Sequence, residues 1–403
     1  MPTRAQAHAW IAVLGLVLPC VAAGQDRAER DLVDLVVRDG PQARAIRAEA
    51  DVTRREQEAR LAYPNPGVMY SREGAGFTEF LQVEQTLPLF GIRGALSRAG
   101  VAASAAADAD RDARLWQLRA EATAAVARLS AEQRRVTAAE AHAQEIARLI
   151  GVLRTREQEG EGSRFDRLRA EQELRDARSV VTSAAVGVAD ARAGLAAMLP
   201  ADVEVTRVTD AFGEPRPIVP LDTLTTRATS SRAELRALQL SAERATLEAE
   251  ATRKARWPAP TVFGGLKRAD TEKGRENGGV FGVSLAVPLF DTGDRDAARW
   301  NAERARAEAE RVAIEHQIRR EIARASDALA LRQDALSNDE ASAADDLTRI
   351  ADVAYREGDV GILELLDAVR TASRARLRTI DLQLDARLAQ IALERAVGDL
   401  LWP

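Results

Sequence analysis

The sequence predicts a mainly helical protein with a minority of β structure, written as one plan repeated twice. Three observations predict it. Ala, Arg and Glu recur throughout, two strand-like segments lie between paired prolines, and both features return in the same order in each half. The chain has 403 residues, 46% hydrophobic and 30% charged, which sets it far from the disordered class. Aromatics are only 4%, a balance that favours long helices packed through small side chains over a compact enzyme core. The formal net charge is -5 and the arginines are interleaved with acids, so no stripe is built for phosphates and no nucleic-acid partner is expected.

The chain opens with Arg4, an apolar stretch from Trp10 to Leu18, and small residues at Val21, Ala22, Ala23 and Gly24. That is the pattern of a secretory signal peptide over residues 1–24, with the mature protein beginning near Gln25. The one cysteine, Cys20, lies inside it, and a lipoprotein would need a small residue where Pro19 stands. The exported chain then has neither disulfides nor thiolate metal sites. No later segment has the 18 or so apolar residues of a spanning helix, so entry into a membrane requires a β-barrel.

The first repeat is assigned to residues 25–200 and the second to 221–403, with an inter-repeat segment over 201–220. In the first, Tyr63-Pro64-Asn65-Pro66 precedes a hairpin over 66–88, then Leu87-Pro88-Leu89-Phe90, a long helix to Gly160, and Ser163-Arg164-Phe165-Asp166 opening a return helix. In the second, Trp257-Pro258-Ala259-Pro260 precedes a hairpin over 259–288, then Val287-Pro288-Leu289-Phe290, a long helix to Gly358, and a return helix from Ile362-Leu363-Glu364. The turns at the far ends are expected over 160–166 and 358–367. Proline stops a helix and pushes its predecessor into extended backbone, which is why the paired prolines mark the change to strand.

Within the hairpins the period is two: Phe281, Val283, Leu285 and Val287 alternate with Gly282, Ser284 and Ala286, and Leu81, Val83 and Leu87 alternate with Gln82, Glu84 and Thr86. The turns are expected near Gly74 and Gly76 and near Gly274 to Gly279. Each strand is expected to have about 8 to 11 residues, enough to cross a bilayer at a tilt. Tyr63, Tyr70 and Trp257 are placed for an interfacial aromatic belt. Four strands cannot close a barrel, whose smallest spanning form needs about eight, so the strands must be shared, and three copies supply about twelve. The alternative for such a hairpin is a half-buried surface sheet.

From about Gly91 to Gly160 and from about Asp291 to Gly358 the helical pattern runs without an evident break, and each run extends about 100 Å at 1.5 Å per residue. Ile314, Ile318, Ile322, Ala325, Leu329 and Leu336 recur at three and four residues, as do Leu377, Ile380, Leu384, Leu388 and Ile391, the spacing of a packed seam. The alanines from Val101 to Ala107 permit close approach. The 201–220 segment, with Pro215, Pro217 and Pro220 after Pro200, is expected to girdle the helices at mid-height.

These residues, taken in their duplicated order, resemble the TolC-like outer membrane efflux family, including the subfamily that partners heavy-metal exporters. The resemblance covers nearly the whole mature chain: the repeated helix-hairpin-helix plan, the Pro-Leu-Phe steps at Pro88 and Pro288, and the Gly/Ser-then-acid breaks at the far tips. It implies a homotrimeric TolC-like fold, with a shared barrel of about twelve strands in the outer membrane of a Gram-negative bacterium and a long helical barrel in the periplasm. It further implies a passive exit duct for a tripartite efflux or type I secretion machine, docked to a periplasmic adaptor and an inner-membrane pump of RND or ABC type. Outer-membrane lipid is the remaining partner.

By position, Gly160, Gly162, Ser163, Gly358 and Gly361 are implied to form the adaptor-docking tip. Asp166, Glu364 and Asp367 fall where the family places its aperture acids, with Arg164 and Arg356 as candidate partners. Glu364 stands where aspartate is usual. A ring of acids about a narrow pore attracts cations, although acids in a first helical turn are also favoured by the helix dipole alone. Leu363 and Leu366 are expected to pack the hairpin. His8, His142 and His316 have no second ligand at helical spacing, and no nucleophile or phosphate loop is present, so no enzyme activity, cofactor or metal site is expected. The rival reading is a soluble periplasmic coiled-coil adaptor or structural protein.

Overall fold

The computed structural model describes residues 25–74, 78–209, 211–212, 216–272, 274–287, 289–290, 292–339 and 341–402. The expected signal peptide, Gly76, Pro288 and Asp291 lie outside the described residues. In chain order the elements are β1 (Gln25–Ala28), α1 (Glu29–Asp39), α2 (Pro41–Arg60), β2 (Gly67–Glu73), β3 (Thr78–Thr86), α3 (Ile92–Gln158) and α4 (Arg164–Ala196). There follow β4 (Val205–Thr209), α5 (Leu221–Ser231), α6 (Ala233–Ala255), β5 (Pro260–Thr271), β6 (Gly274–Leu285), α7 (Asp294–Ser337), α8 (Ala341–Glu357) and α9 (Ile362–Val397).

The two hairpins join into one antiparallel sheet in the order β2-β3-β5-β6. The β3–β5 pairing, from Thr78 opposite Ala269 to Thr86 opposite Thr261, fastens the first repeat to the second. The register sorts the side chains by face. Val68 lies opposite Val83, Tyr70 opposite Leu81, Leu81 opposite Leu266 and Val262 opposite Val283, so one face carries an apolar band. These residues are exposed in the single chain, Phe281 at 91%. The same face ends, beyond the band, in a polar row of Arg72, Glu79, Arg268 and Asn277. The other face carries Gln82, Glu84, Lys267 and Glu276 beside Phe80 and Phe263.

The strands have 7, 9, 12 and 12 residues, so the second hairpin is longer and the first strand shorter than the sequence suggests. The second turn also lies earlier than expected. It follows Thr271, and Gly278 and Gly279 pair inside β6 opposite Lys267 and Leu266, where a missing side chain makes room for a large one across the strand.

Below the sheet the helices pack through small side chains. Ala95, Ala99, Ala102, Ala106 and Ala109 of α3 are buried, repeating at four and three residues, and α3 packs against α6, which buries Ala237, Ala245 and Ala249. Three clusters hold the length of the molecule. At mid-height, Leu32 and Val36 of α1 meet Leu118, Val126 and Leu129 of α3 with Val205 and Val208 of β4. Beside it, Ile318, Ile322 and Leu329 of α7 meet Leu224 of α5 and Leu393 and Val397 of α9. Toward the far tips, Ile146, Ile150 and Leu153 of α3 meet Ala170 of α4 and Leu365, Leu366 and Val369 of α9.

The inter-repeat segment lies at mid-height, where β4 pairs in parallel with β1. Gln133 of α3 clamps it by both ends of its amide, Nε2 donating to the Thr206 carbonyl at 2.9 Å and Oε1 accepting from the Val208 N–H at 3.1 Å. Gln333 of α7 repeats the clamp on the Arg216 carbonyl at 3.0 Å. The expected unbroken run to Gly358 is corrected. The helix stops at Ser337 and resumes at Ala341, because Asp339 turns its carboxylate to α9, accepting from Arg378 at 2.8 Å and from the Thr379 hydroxyl. Among the described residues no helix is long and apolar enough to cross a membrane.

Candidate functional site

The far tips of the two coils share one construction. After α3, the Glu161 N–H reaches back to the Arg156 carbonyl at 2.9 Å and the Gly160 N–H to Glu157 at 3.2 Å. After α8, the Asp359 N–H reaches the Ala354 carbonyl at 2.9 Å and the Gly358 N–H reaches Tyr355 at 3.3 Å. Both glycines are left-handed, φ 79° and 84°, the helix-ending motif that a Cβ disfavours. Gly162 sits so close to the preceding turn that a Cβ would meet the Glu157 nitrogen at 2.8 Å.

The return helices begin differently. Ser163 caps α4, its Oγ accepting from the Phe165 N–H at 3.1 Å. Gly361 takes that place before α9 with no side chain to cap it, and the Glu364 carboxylate folds over it, with Oε2 2.9 Å from where a Cβ would stand. The turns thus end at Ser163 and Gly361; Asp166 and Glu364 lie in the first turns of α4 and α9, and Asp367 in the second turn of α9. Glu364 and Asp367 are exposed and Asp166 is half-buried. Arg356 is held by Asp352 of its own helix at 2.6 Å, and Arg164 makes no ion pair among the described residues, so neither arginine reaches the three acids inside one chain. Leu366 is buried as expected, but Leu363 is 52% exposed: it stands one residue, about 100° of helix turn, beyond the buried Ile362, at the edge of the arc that faces α3.

Behind the tips, contacts that sequence spacing does not reveal tie the two coils together and brace α8 against α9 within the second. Arg370 of α9 grips Glu173 of α4 with two bonds, 3.1 and 3.0 Å, and that carboxylate holds the guanidinium above its ordinary value. Arg376 bonds Asp345 of α8 at 2.7 Å and lies 4.0 Å from Glu145 of α3. The Thr348 hydroxyl of α8 donates to the Ala368 carbonyl of α9 at 3.3 Å. His142 of α3 is buried between them, its Nδ1 without a partner; burial lowers its pKa, and Arg376 and Arg370 push the same way against Glu173. Local pairs such as Arg167 with Glu171 at 2.7 Å do carry a sequence signal, the four-residue spacing. Arg370 and Glu173 lie 197 residues apart.

An apolar-faced sheet at one end and paired long coils at the other is the architecture of several solved channels. CusC, studied for its folding and transmembrane channel formation, shares 16% identity over 93% of this chain and 92% of its own, with a TM-score of 0.71. MtrE, an outer membrane channel of Neisseria gonorrhoeae solved in its open state, shares 19% over 93% and 89%, with a TM-score of 0.70. The outer membrane channel CmeC of Campylobacter jejuni shares 12% over 92% and 85%, with a TM-score of 0.72. No curated protein matches the chain by sequence. Residues 224–399, from α5 to the end of α9, match the sequence model of the family described as outer membrane efflux protein.

The second repeat thus resembles the outer membrane efflux protein family in sequence, and the whole chain shares the fold of these channels.

The efflux-family match covers the coil formed by α7, α8 and α9, while the fold extends the likeness to the first repeat. Among the described residues, no group of three or more His, Cys, Asp and Glu side chains is placed to hold a metal.

Proposed function

We propose that the chain is one subunit of a homotrimeric outer-membrane duct through which an efflux or type I secretion machine releases its cargo. The observation that carries this is the four-stranded sheet, apolar and exposed on one face, polar on the other, and unpaired at both edges, β2 and β6. Lipid leaves no place for an unpaired strand edge, and four strands cannot close on themselves, so a sheet of this kind is completed by further copies. Residues 25–200 and 221–403 are the two repeats in this reading, 201–220 the equatorial link, and 1–24 the export signal. The helices then stand in the periplasm with their tips toward an adaptor and an inner-membrane pump.

The duct has no catalysis and no cofactor of its own in this reading, and its energy comes from the pump. Asp166, Glu364 and Asp367 face the narrow end, and Gly160, Gly162, Ser163, Gly358 and Gly361 shape the turns that an adaptor meets. The ties behind the tips, Arg370–Glu173 and Arg376–Glu145, hold one coil against the other and resist dilation.

Fractionation of the expressing cell, followed by native mass of the detergent-extracted protein, tests the reading. A trimer in the outer-membrane fraction is expected, and a soluble periplasmic monomer or dimer overturns it in favour of a coiled-coil adaptor. In planar bilayers Glu364→Gln with Asp367→Asn lowers the cation preference of the channel, and an unchanged selectivity removes those acids from the pore.

A further inference from the structure

The two repeats allow contacts made inside the chain to be carried one step further round a ring. Leu129 corresponds to Leu329, Gln133 to Gln333, Gly160 to Gly358 and Leu168 to Leu366. Within the chain the first repeat reaches the second by three pairings: β3 on β5, α3 on α6 and α3 on α9. The same steps taken from the second repeat are β6 on β2, α7 on α2 and α8 on α4. None of these is among the packed pairs of the described residues, and α4 packs extensively on α3 alone.

The surfaces left over are apolar. Phe90 lies 6.3 Å from the Trp257 ring and is 59% exposed, whereas its counterpart Phe290 is 99% exposed. Trp257 corresponds to Tyr63, which is exposed at the end of α2 with Arg93 3.9 Å over its ring. At the other end of the molecule Leu366 is buried in the tip cluster against α3, whereas its counterpart Leu168 is exposed on α4. The counterpart of that α3 surface is α8, which exposes Leu347 and Ile350. Each internal contact thus has an unpaired replica, and the replicas lie on opposite flanks of the chain, as a head-to-tail ring requires.

We infer that a second copy of this chain covers these surfaces, with Phe290 of one copy against Tyr63 of the next at the base of the sheet, and with α8 of the first, beside Leu347, receiving Leu168 from α4 of the second. The inference rests on the subunit reading above and adds which residues form the seam. The two contacts lie at the two ends of the long helices, so together they fix the register of neighbouring chains along their whole length. The neighbour completes the tip, since inside the chain α4 packs extensively on α3 alone and touches α9 mainly through Arg370–Glu173.

Cysteine pairs test it, because the sequence has a single native cysteine, inside the expected signal peptide. The doubles Phe290→Cys/Tyr63→Cys and Leu168→Cys/Leu347→Cys are treated in intact membranes with a short bismaleimide. Most of the monomer band is expected to shift to dimer and trimer, while each single variant alone stays monomeric. Phe90→Cys/Trp257→Cys, which links within the chain, reports that the fold survives. If that control links and neither double forms a ladder, the seam is wrong. A native trimer without a ladder overturns the seam and leaves the duct subunit standing; a native monomer overturns both.

Discussion

In the first half of the chain one helix, α3, runs from Ile92 to Gln158, whereas its counterpart stops at Ser337 and resumes as α8 at Ala341. The cause lies at corresponding positions. Ala138-Ala139 in α3 are strong helix formers and Ala139 is buried, while Asn338-Asp339 compete with the backbone for hydrogen bonds and favour an ending. The surroundings differ too. α3 packs against α1, α2, α4, α6 and α9, and α8 packs extensively against α9 alone. Duplication therefore supplied two equal coils, and divergence left one built into the body and the other jointed behind its tip. Local opening is easiest where buried contacts are fewest, which makes α8 and its joint the softer of the two arms.

The comparison breaks most sharply where the repeats are joined. Arg60 at the end of α2 meets Glu248 of α6 with two bonds, 2.6 and 2.9 Å, and Glu248 is only 2% exposed. Arg60→Ala leaves that carboxylate buried and unpaired, at a cost of about 3 to 4 kcal/mol in the urea unfolding of the detergent-extracted protein. A loss below about 1 kcal/mol means that water reaches Glu248 and the pair is not what unites the repeats.

Leu129 and Leu329, both fully buried, test whether the two cores are equal. Each change to Ala is expected to cost about 3 kcal/mol, and a gap of more than about 1.5 kcal/mol between them shows one repeat collapsing around the cavity better than the other. The joint comes next. Asp339, its side chain only 3% exposed, is held below the usual carboxylate range by the Thr379 hydroxyl and then by Arg378. Asp339→Asn is expected to speed amide exchange over 341–357 about tenfold at neutral pH while leaving α3 unchanged. Since its pKa is depressed in the fold, the clamp is present above the ordinary aspartate value and fades as pH falls through the lowered one, so the variant and parent converge in acid. Equal exchange at neutral pH removes the clamp from the account.

The smallest effect is at mid-height. Burial raises the pKa of Glu394, against the Leu401 N–H bonded at 3.1 Å, and burial also raises Glu29 beside Arg387. A carboxyl raised in the fold stabilises it below the ordinary glutamate value, and that contribution is lost as pH climbs through the raised one. Glu394→Gln should remove part of this slope from a series of melting temperatures against pH, with Glu29 supplying the rest. An unaltered slope assigns it elsewhere.

Much of this molecule is legible in its sequence because the decisive signals are local. Glycine at 160 and 358 ends a helix through its own backbone freedom, the paired prolines mark each passage from helix to strand, and the period of two in β3 and β6 exposes one apolar face. The seam of Ile318, Ile322 and Leu329 is read from spacing alone, because a helix repeats its faces whatever it packs against. The second hairpin turn is not set by local signals, since glycine serves equally in a turn and opposite a large neighbour in a strand, and only the pairing of Gly278 with Lys267 separates the two uses.

What the sequence by itself determined is therefore the duplicated plan, the export signal pattern and the alternation of helix and hairpin, all set by interactions within a few residues. The tertiary structure alone decided where α7 breaks, which tip leucine is buried, and which arginines tie the coils. Arg378 reaches Asp339 across 39 residues and Arg370 reaches Glu173 across 197, and such contacts exist only once distant helices lie side by side.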